Sequence, residues 1–132
     1  MARAAAFRAG LAAYERGDFF LAHELLEPAW MGTADLLERE LYQGLIKLAA
    51  GFVHVVRGRP AGATKNLRGA RDRLGRVADA LGSGRGHGPE VGADLDLPAL
   101  LAAIDAVLAS LEAGTPVERI VAPPVARRPD RR

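Results

Sequence analysis

His23, Glu24, Glu27 and Trp30 are the residues of this chain whose types and spacing could do chemistry. His23, Glu27 and Trp30 fall at i, i+4 and i+7, which stacks them along one stripe of a helix, with Glu24 one position round. A second set, Arg39, Gln43, Lys47 and His54, steps by four, four and seven with Ala50 between, and makes a second polar stripe. Carboxylates sit on one stripe and cations on the other. If the two helices fold back on a short loop, Glu27 should face Arg39 and Gln43, His23 should face Gln43 and Lys47, and His54 should lie near Tyr14 and the Gly17 turn.

Such a cluster supports three chemistries. One is a partly buried hydrogen-bond network that fixes helix register. Another is a small-molecule, peptide or anion site, with Trp30 as its apolar wall and Arg39 or Lys47 gripping the anion. The third is a metal site drawn from His23, Glu24 or Glu27, and His54. Lys47 and Arg39 oppose a bound cation, so no metal is assigned. His23-Glu24 also lacks the second His, at residue 27, of a His-Glu-x-x-His zinc helix. Glu24 and Glu27, three apart on one helix, do not flank a substrate bond as paired catalytic carboxylates must. No catalytic residue and no cofactor is assigned.

The elements that position these residues are legible in order. Residues 2–16 predict a first helix with Phe7, Leu11 and Tyr14 buried, ended by Gly17. Asp18 caps a second helix over about 18–31, whose buried face is Phe19, Ala22, Leu26 and Ala29. Pro28 removes a backbone donor inside it and should bend it near residue 24 or end it soon after. Residues 36–57 predict a central helix about 33 Å long. It is apolar nearly all round after its charged start, and Gly44 and Gly51 invite close packing. Gly58 and Pro60 stop it. A helix over 61–81 carries the apolar seam Ala63, Leu67, Ala70, Leu74, Val77 and Leu81. Residues 82–97, with five Gly, read as a mobile loop. Leu100, Leu101, Ile104, Leu108 and Leu111 mark a last helix to about 113, opened by Pro98 and closed by Gly114.

Composition agrees with packed helices. Apolar residues are 49% of the 132, and only four Phe, two Tyr and one Trp are aromatic. This is the size of one domain, expected over residues 1–114, followed by a disordered Pro/Arg-rich tail over 115–132. The chain has no Cys, which excludes disulfides, thiolate metal sites and Cys nucleophiles. Neither a signal-peptide core nor an apolar run of about 18 residues is present, so no membrane span is expected. A cytoplasmic location is the expectation. The net charge of +2 hides an asymmetry. Residues 15–40 hold seven acids against two bases, and residues 57–76 hold seven bases against one acid. The two regions can attract each other across the fold or between chains.

The chain also partly overlays itself at a shift of 41. Ala9, Gly10, Arg16, Gly17, Ala22, Leu26 and Ala29 meet Ala50, Gly51, Arg57, Gly58, Ala63, Leu67 and Ala70. The fold class expected is therefore all-α: two stacked antiparallel helical hairpins, similar to tetratricopeptide packing, plus a C-terminal helix.

Phe7-x2-Gly10…Gly17-Asp18-Phe19-Phe20-x-Ala22-His23-Glu24-x-Leu26-Glu27-x2-Trp30 resembles the domain-of-unknown-function family DUF309. So does Arg39-x3-Gln43-Gly44-Leu45-Ile46-Lys47-x2-Ala50-x3-His54-x2-Arg57-Gly58, followed by Gly62-Ala63-x3-Leu67. The resemblance covers roughly residues 7–110. It implies a small all-α bacterial, archaeal or plastid protein with no established biochemical role. It also marks His23, Glu24, Glu27, Trp30, Arg39, Gln43 and His54 as the site to watch. Lys47 stands where the family commonly has Gln.

The leading functional reading is a non-enzymatic protein-interaction or self-associating module. A binding protein or enzyme using His23, Glu27, Trp30 and Arg39 is the first alternative. Nucleic-acid binding through the basic 57–76 face and the Arg tail is the second, disfavoured because no aromatic residue interleaves the bases.

Overall fold

A computed structural model describes residues 2–82 and 95–125 of the chain. Among the described residues five α-helices follow one another: α1 (Ala2–Glu15), α2 (Phe19–Met31), α3 (Leu36–Val56), α4 (Pro60–Gly82) and α5 (Leu97–Glu112). A 3₁₀ turn, Val117–Arg119, comes after them. Each helix packs on the next, and the 3₁₀ turn lies on α3. This is the all-helical bundle that the periodicities predict. The expected loop centred on 83–94 lies outside the described residues, as does the segment 126–132.

The turns are set by local chemistry. Gly17 and Gly58 adopt φ of +83° and +71°, a left-handed conformation that costs glycine little. At the first, Gly17 N–H donates to the Tyr14 carbonyl and Asp18 N–H to that of Ala13. At the second, Gly58 N–H donates to Val55 and Arg59 N–H to His54. These are the same paired closure of the last helical turn, 41 residues apart. Asp18 and Asp35 then cap α2 and α3, accepting from Leu21 N–H and from both Leu37 and Glu38 N–H. Pro28 does not stop α2, which runs one further turn to Met31.

Small residues let the helices come close. A Cβ on Gly10 would sit 2.7 Å from Leu26 Cγ, and one on Gly51 about as close to Leu67. Across α3 and α4 the notches are reciprocal. Gly44 and Gly51 receive Leu74 and Leu67, while Gly62 and Gly69 of α4 receive His54 and Lys47 of α3. The core runs through all five helices. At its centre Phe52 meets Tyr14 and Phe19, with ring centroids 6.3 and 5.5 Å away.

Residues 115–125 depart from the expectation of a disordered tail. Val125 is 2% exposed within the core cluster, and Val117, Ile120 and Ala122 pack against it. The Tyr14 hydroxyl donates to the Pro123 carbonyl at 2.8 Å, and Glu15 accepts the Val125 N–H at 3.0 Å. Composition pointed to a loose tail, but apolar side chains within it find seats against α1 and α3.

Candidate functional site

The two polar stripes do not close on each other. A stripe that steps by four drifts about 40° per step round a 3.6-residue helix, so its ends face different neighbours. Arg39 lies at the α2 edge of α3. Its guanidinium carbon sits 5.0 Å from the Trp30 ring centroid, and Nη1 donates to the carbonyls of Thr33 at 3.1 Å and Trp30 at 3.4 Å. The cation thus tops the C-terminal end of α2, where the last carbonyls lack helical partners. Trp30 Nε1 is buried with no hydrogen-bond partner.

Gln43, Lys47 and His54 turn instead to α4. Gln43 accepts from Arg73 at 2.5 Å, Lys47 lies over Gly69, and the His54 ring rests on Gly62. The His54 ring thus faces α4, whereas the Tyr14 ring meets Phe19 and Phe52. His54 Nδ1 is buried without a partner. Glu24 and Glu27 are exposed on α2 and His23 is half-buried. The expected facing of Glu27 on Arg39 and Gln43, and of His23 on Gln43 and Lys47, is replaced by these contacts with α4 and with the α2–α3 turn. Among the described residues, no three His, Cys, Asp or Glu side chains gather as a metal-binding group would require.

The network that does form centres on Glu40. Its carboxylate takes Arg73 on one oxygen and Arg76 on the other, both at 2.5 Å. Burial pulls the Glu40 carboxyl up, but hydrogen bonds from Arg76 and Arg73 and their charges outweigh it and hold the group below its ordinary value. On the other flank of α4, Arg71 binds Asp105 at 2.6 Å and Arg68 binds Glu112 at 2.8 Å. Asp105 also raises the already high Arg71 value. The acidic and basic regions therefore meet inside the fold at Glu40, and four bases of the 57–76 face hold carboxylates of α3 and α5. Those arginines are already neutralised locally, which weakens a polyanion-binding face.

Thr33, buried in the α2–α3 turn, completes that turn. Its hydroxyl donates to Glu38 at 2.6 Å and accepts the Asp35 N–H. The sequence signal was present as Thr33-x-Asp35-x2-Glu38, a threonine placed beside a capping pair.

A feature missed by the polar reading lies at the other end of the α2–α3 seam. A cleft of about 190 Å³ is lined by Gly17, Asp18, Phe19, Phe20, Val53, Val56 and Arg57. Phe20 is 53% exposed and Val56 71%, and Arg57 lies 5.8 Å over the Phe20 ring. On α3 the positions Arg39, Ile46, Ala50, Val53 and Arg57 recur at helical spacing. The α3 stripe beside the exposed side of α2 is thus apolar between two arginines, each over an aromatic ring of α2. The sequence signal was Val56 and Phe20, apolar residues off the buried faces of their helices.

Fold and site together define an all-α bundle in which each helix packs on the next, with arginines of α4 paired to carboxylates of α3 and α5. Residues 7–66 match the family model described as Domain of unknown function (DUF309). The match runs from Phe7 in α1 to Asn66 in the second turn of α4 and takes in every residue of the candidate cluster. Neither a curated protein nor a solved structure matches the chain. No helix among the described residues is long and apolar enough to cross a membrane.

Proposed function

We propose that this protein is a non-enzymatic helical interaction module whose contact surface is the α2–α3 face. The observation that carries this reading is the exposed apolar cleft at the Gly17 end of that seam, where Phe20 and Val56 stand open to solvent beside half-buried Val53. Apolar side chains grouped round a cleft mark contact surfaces more often than singly scattered ones do. The same face carries exposed Glu24 and Glu27, so a polar rim borders the apolar part. The tetratricopeptide-like reading, two repeats of one hairpin, fits this role and draws support from the shared glycine turns and the paired Gly10–Leu26 and Gly51–Leu67 contacts.

The test compares the intact chain with a Phe20→Ser/Val56→Ser variant. Both are exposed, so the fold should persist, as circular dichroism would show. Light scattering across concentration reads self-association, and affinity capture followed by mass spectrometry reads partners. The intact chain should associate or retain a defined protein, and the variant should lose that. An intact chain that stays monomeric and captures nothing beyond what the variant captures ends this reading.

A further inference from the structure

Residues 115–125 form an arm whose attachments lie far from its own helix. α5 closes at Gly114, with φ of +84°, and Thr115-Pro116 lead away from it. The 3₁₀ turn then rests on α3, and Ala122 to Val125 reach the C-terminal end of α1. Pro123 and Val125 are buried and Pro124 between them is exposed, the alternation of an extended segment seated on one side.

Both side-chain bonds to the arm address its backbone. Tyr14 donates to the Pro123 carbonyl and Glu15 accepts the Val125 N–H. Burial of the Tyr14 phenol keeps it protonated and thus a donor. A site that grips backbone atoms and seats two apolar side chains two residues apart recognises an extended peptide whatever chain it belongs to. Against its own α5, by contrast, the arm stands off. A cleft of about 210 Å³ opens between Val107 and Ser110 of α5 and Arg119 and Ile120 of the arm. The firm contacts are thus those an arm from elsewhere could make equally well.

We propose that the α1–α3 face holding residues 117–125 is a peptide-binding groove that accepts the same arm from a second copy of this chain, giving a reciprocal arm-exchanged dimer. The occupant is set by the structure, because the one segment seen to fit is the chain's own. Exchange about Gly114-Thr115-Pro116 keeps every groove contact and changes only which copy supplies the arm. Competition from the tethered arm makes the exchanged form depend on concentration. The inference uses a surface separate from the α2–α3 cleft, so the two readings fail independently.

The experiment uses the full chain and a synthetic peptide of residues 115–125 carrying an N-terminal fluorophore. The acceptor is full-length Val125→Asp, whose own arm cannot seat a carboxylate in the apolar pocket. Fluorescence anisotropy should show saturable binding to this acceptor and at least tenfold weaker binding to the unmodified chain, whose groove is filled. Adding Tyr14→Phe to the acceptor should weaken the peptide further. Sedimentation of the unmodified chain should show a dimer growing with concentration, lost in Val125→Asp and kept in Phe20→Ser/Val56→Ser. Should Val125→Asp not fold, full-length Pro123→Gly with a loosened arm takes its place. A folded acceptor that binds no peptide, an unmodified chain monomeric throughout, or a dimer that survives Val125→Asp each overturns the proposal. A dimer lost only in Phe20→Ser/Val56→Ser leaves the α2–α3 reading standing alone.

Discussion

Replacing Glu40 with Gln, beside Glu27→Gln as its matched control, tests which carboxylate belongs to the interhelical network. Glu40 is 25% exposed on its side chain, with Arg73 at 29% and Arg76 at 59%, while Glu27 is exposed. An exposed ion pair contributes about 0.2–1 kcal/mol, and breaking a fully buried one costs about 3–5 kcal/mol. A quarter-exposed acid that holds two arginines belongs between these limits, nearer the lower because Arg76 is well solvated. Glu40→Gln should cost about 1–2 kcal/mol at pH 7, and Glu27→Gln should stay within about 0.5 kcal/mol of the unmodified chain. For 132 residues, an unfolding entropy of about 0.28 kcal/mol/K turns that cost into a Tm drop of about 4–7 °C.

The sign with pH follows from the direction of the shift. The folded-state value of Glu40 is lowered, so its contribution is present above the ordinary glutamate value of about 4.3 and disappears as pH falls through the lower folded one. Urea melts at pH 7 and at successively lower pH should show the Glu40→Gln gap closing in acid. A gap under about 0.3 kcal/mol at pH 7, an equal loss from Glu27→Gln, or a gap that does not close would refute the assignment.

Two further outcomes follow from single side chains. Arg39→Lys should lose about 1–2 kcal/mol and shift Trp30 emission, because an ammonium cannot hold both carbonyls and lie over the ring as the guanidinium does; unchanged stability and emission would contradict the geometry in the α2–α3 turn. Tyr14→Phe should cost about 1 kcal/mol at pH 7 by removing the bond to Pro123. Burial, with Glu15 adding to it, raises the Tyr14 value, so the folded chain keeps a proton that the unfolded chain releases above about pH 10. The unmodified chain should therefore lose more stability than Tyr14→Phe between pH 7 and 11 in denaturant melts, and parallel losses would show that Tyr14 titrates normally.

The helices were legible because their signals are local. Gly17, Gly58 and Gly114 stop three of them, Asp18 and Asp35 cap two, and the apolar spacing from Phe7 to Leu108 marks the buried faces. Gly44 and Gly51 were readable as a close-packing side, and α4 supplies the leucines that fill it. The cluster was less legible. Its residues share polarity and sequence nearness, but a helix in the middle of a bundle has neighbours on two sides. Arg39 falls toward α2, while Lys47 and His54, about 80° and 60° further round at about 100° per residue, fall toward α4. The order of residues within α3 does not say where that division lies. The arm was hidden for another reason. Pro123-Pro124 and the arginines after it gave the segment a disordered composition, which outweighed the scattered Val117, Ile120 and Val125.

By itself, the sequence determined the helical class, the approximate limits of the described helices, the glycine turns and the absence of thiol chemistry, because propensity, capping and periodicity act over a few residues. Tertiary structure alone decided which carboxylate is bound between helices, which face of α3 each polar residue serves, and where residues 115–125 rest. Those outcomes depend on the rotation of one helix against another and on contacts more than a hundred residues apart, such as Tyr14 with Pro123. No local pattern encodes them, because the energies that settle them come from groups the chain brings together only when it has folded.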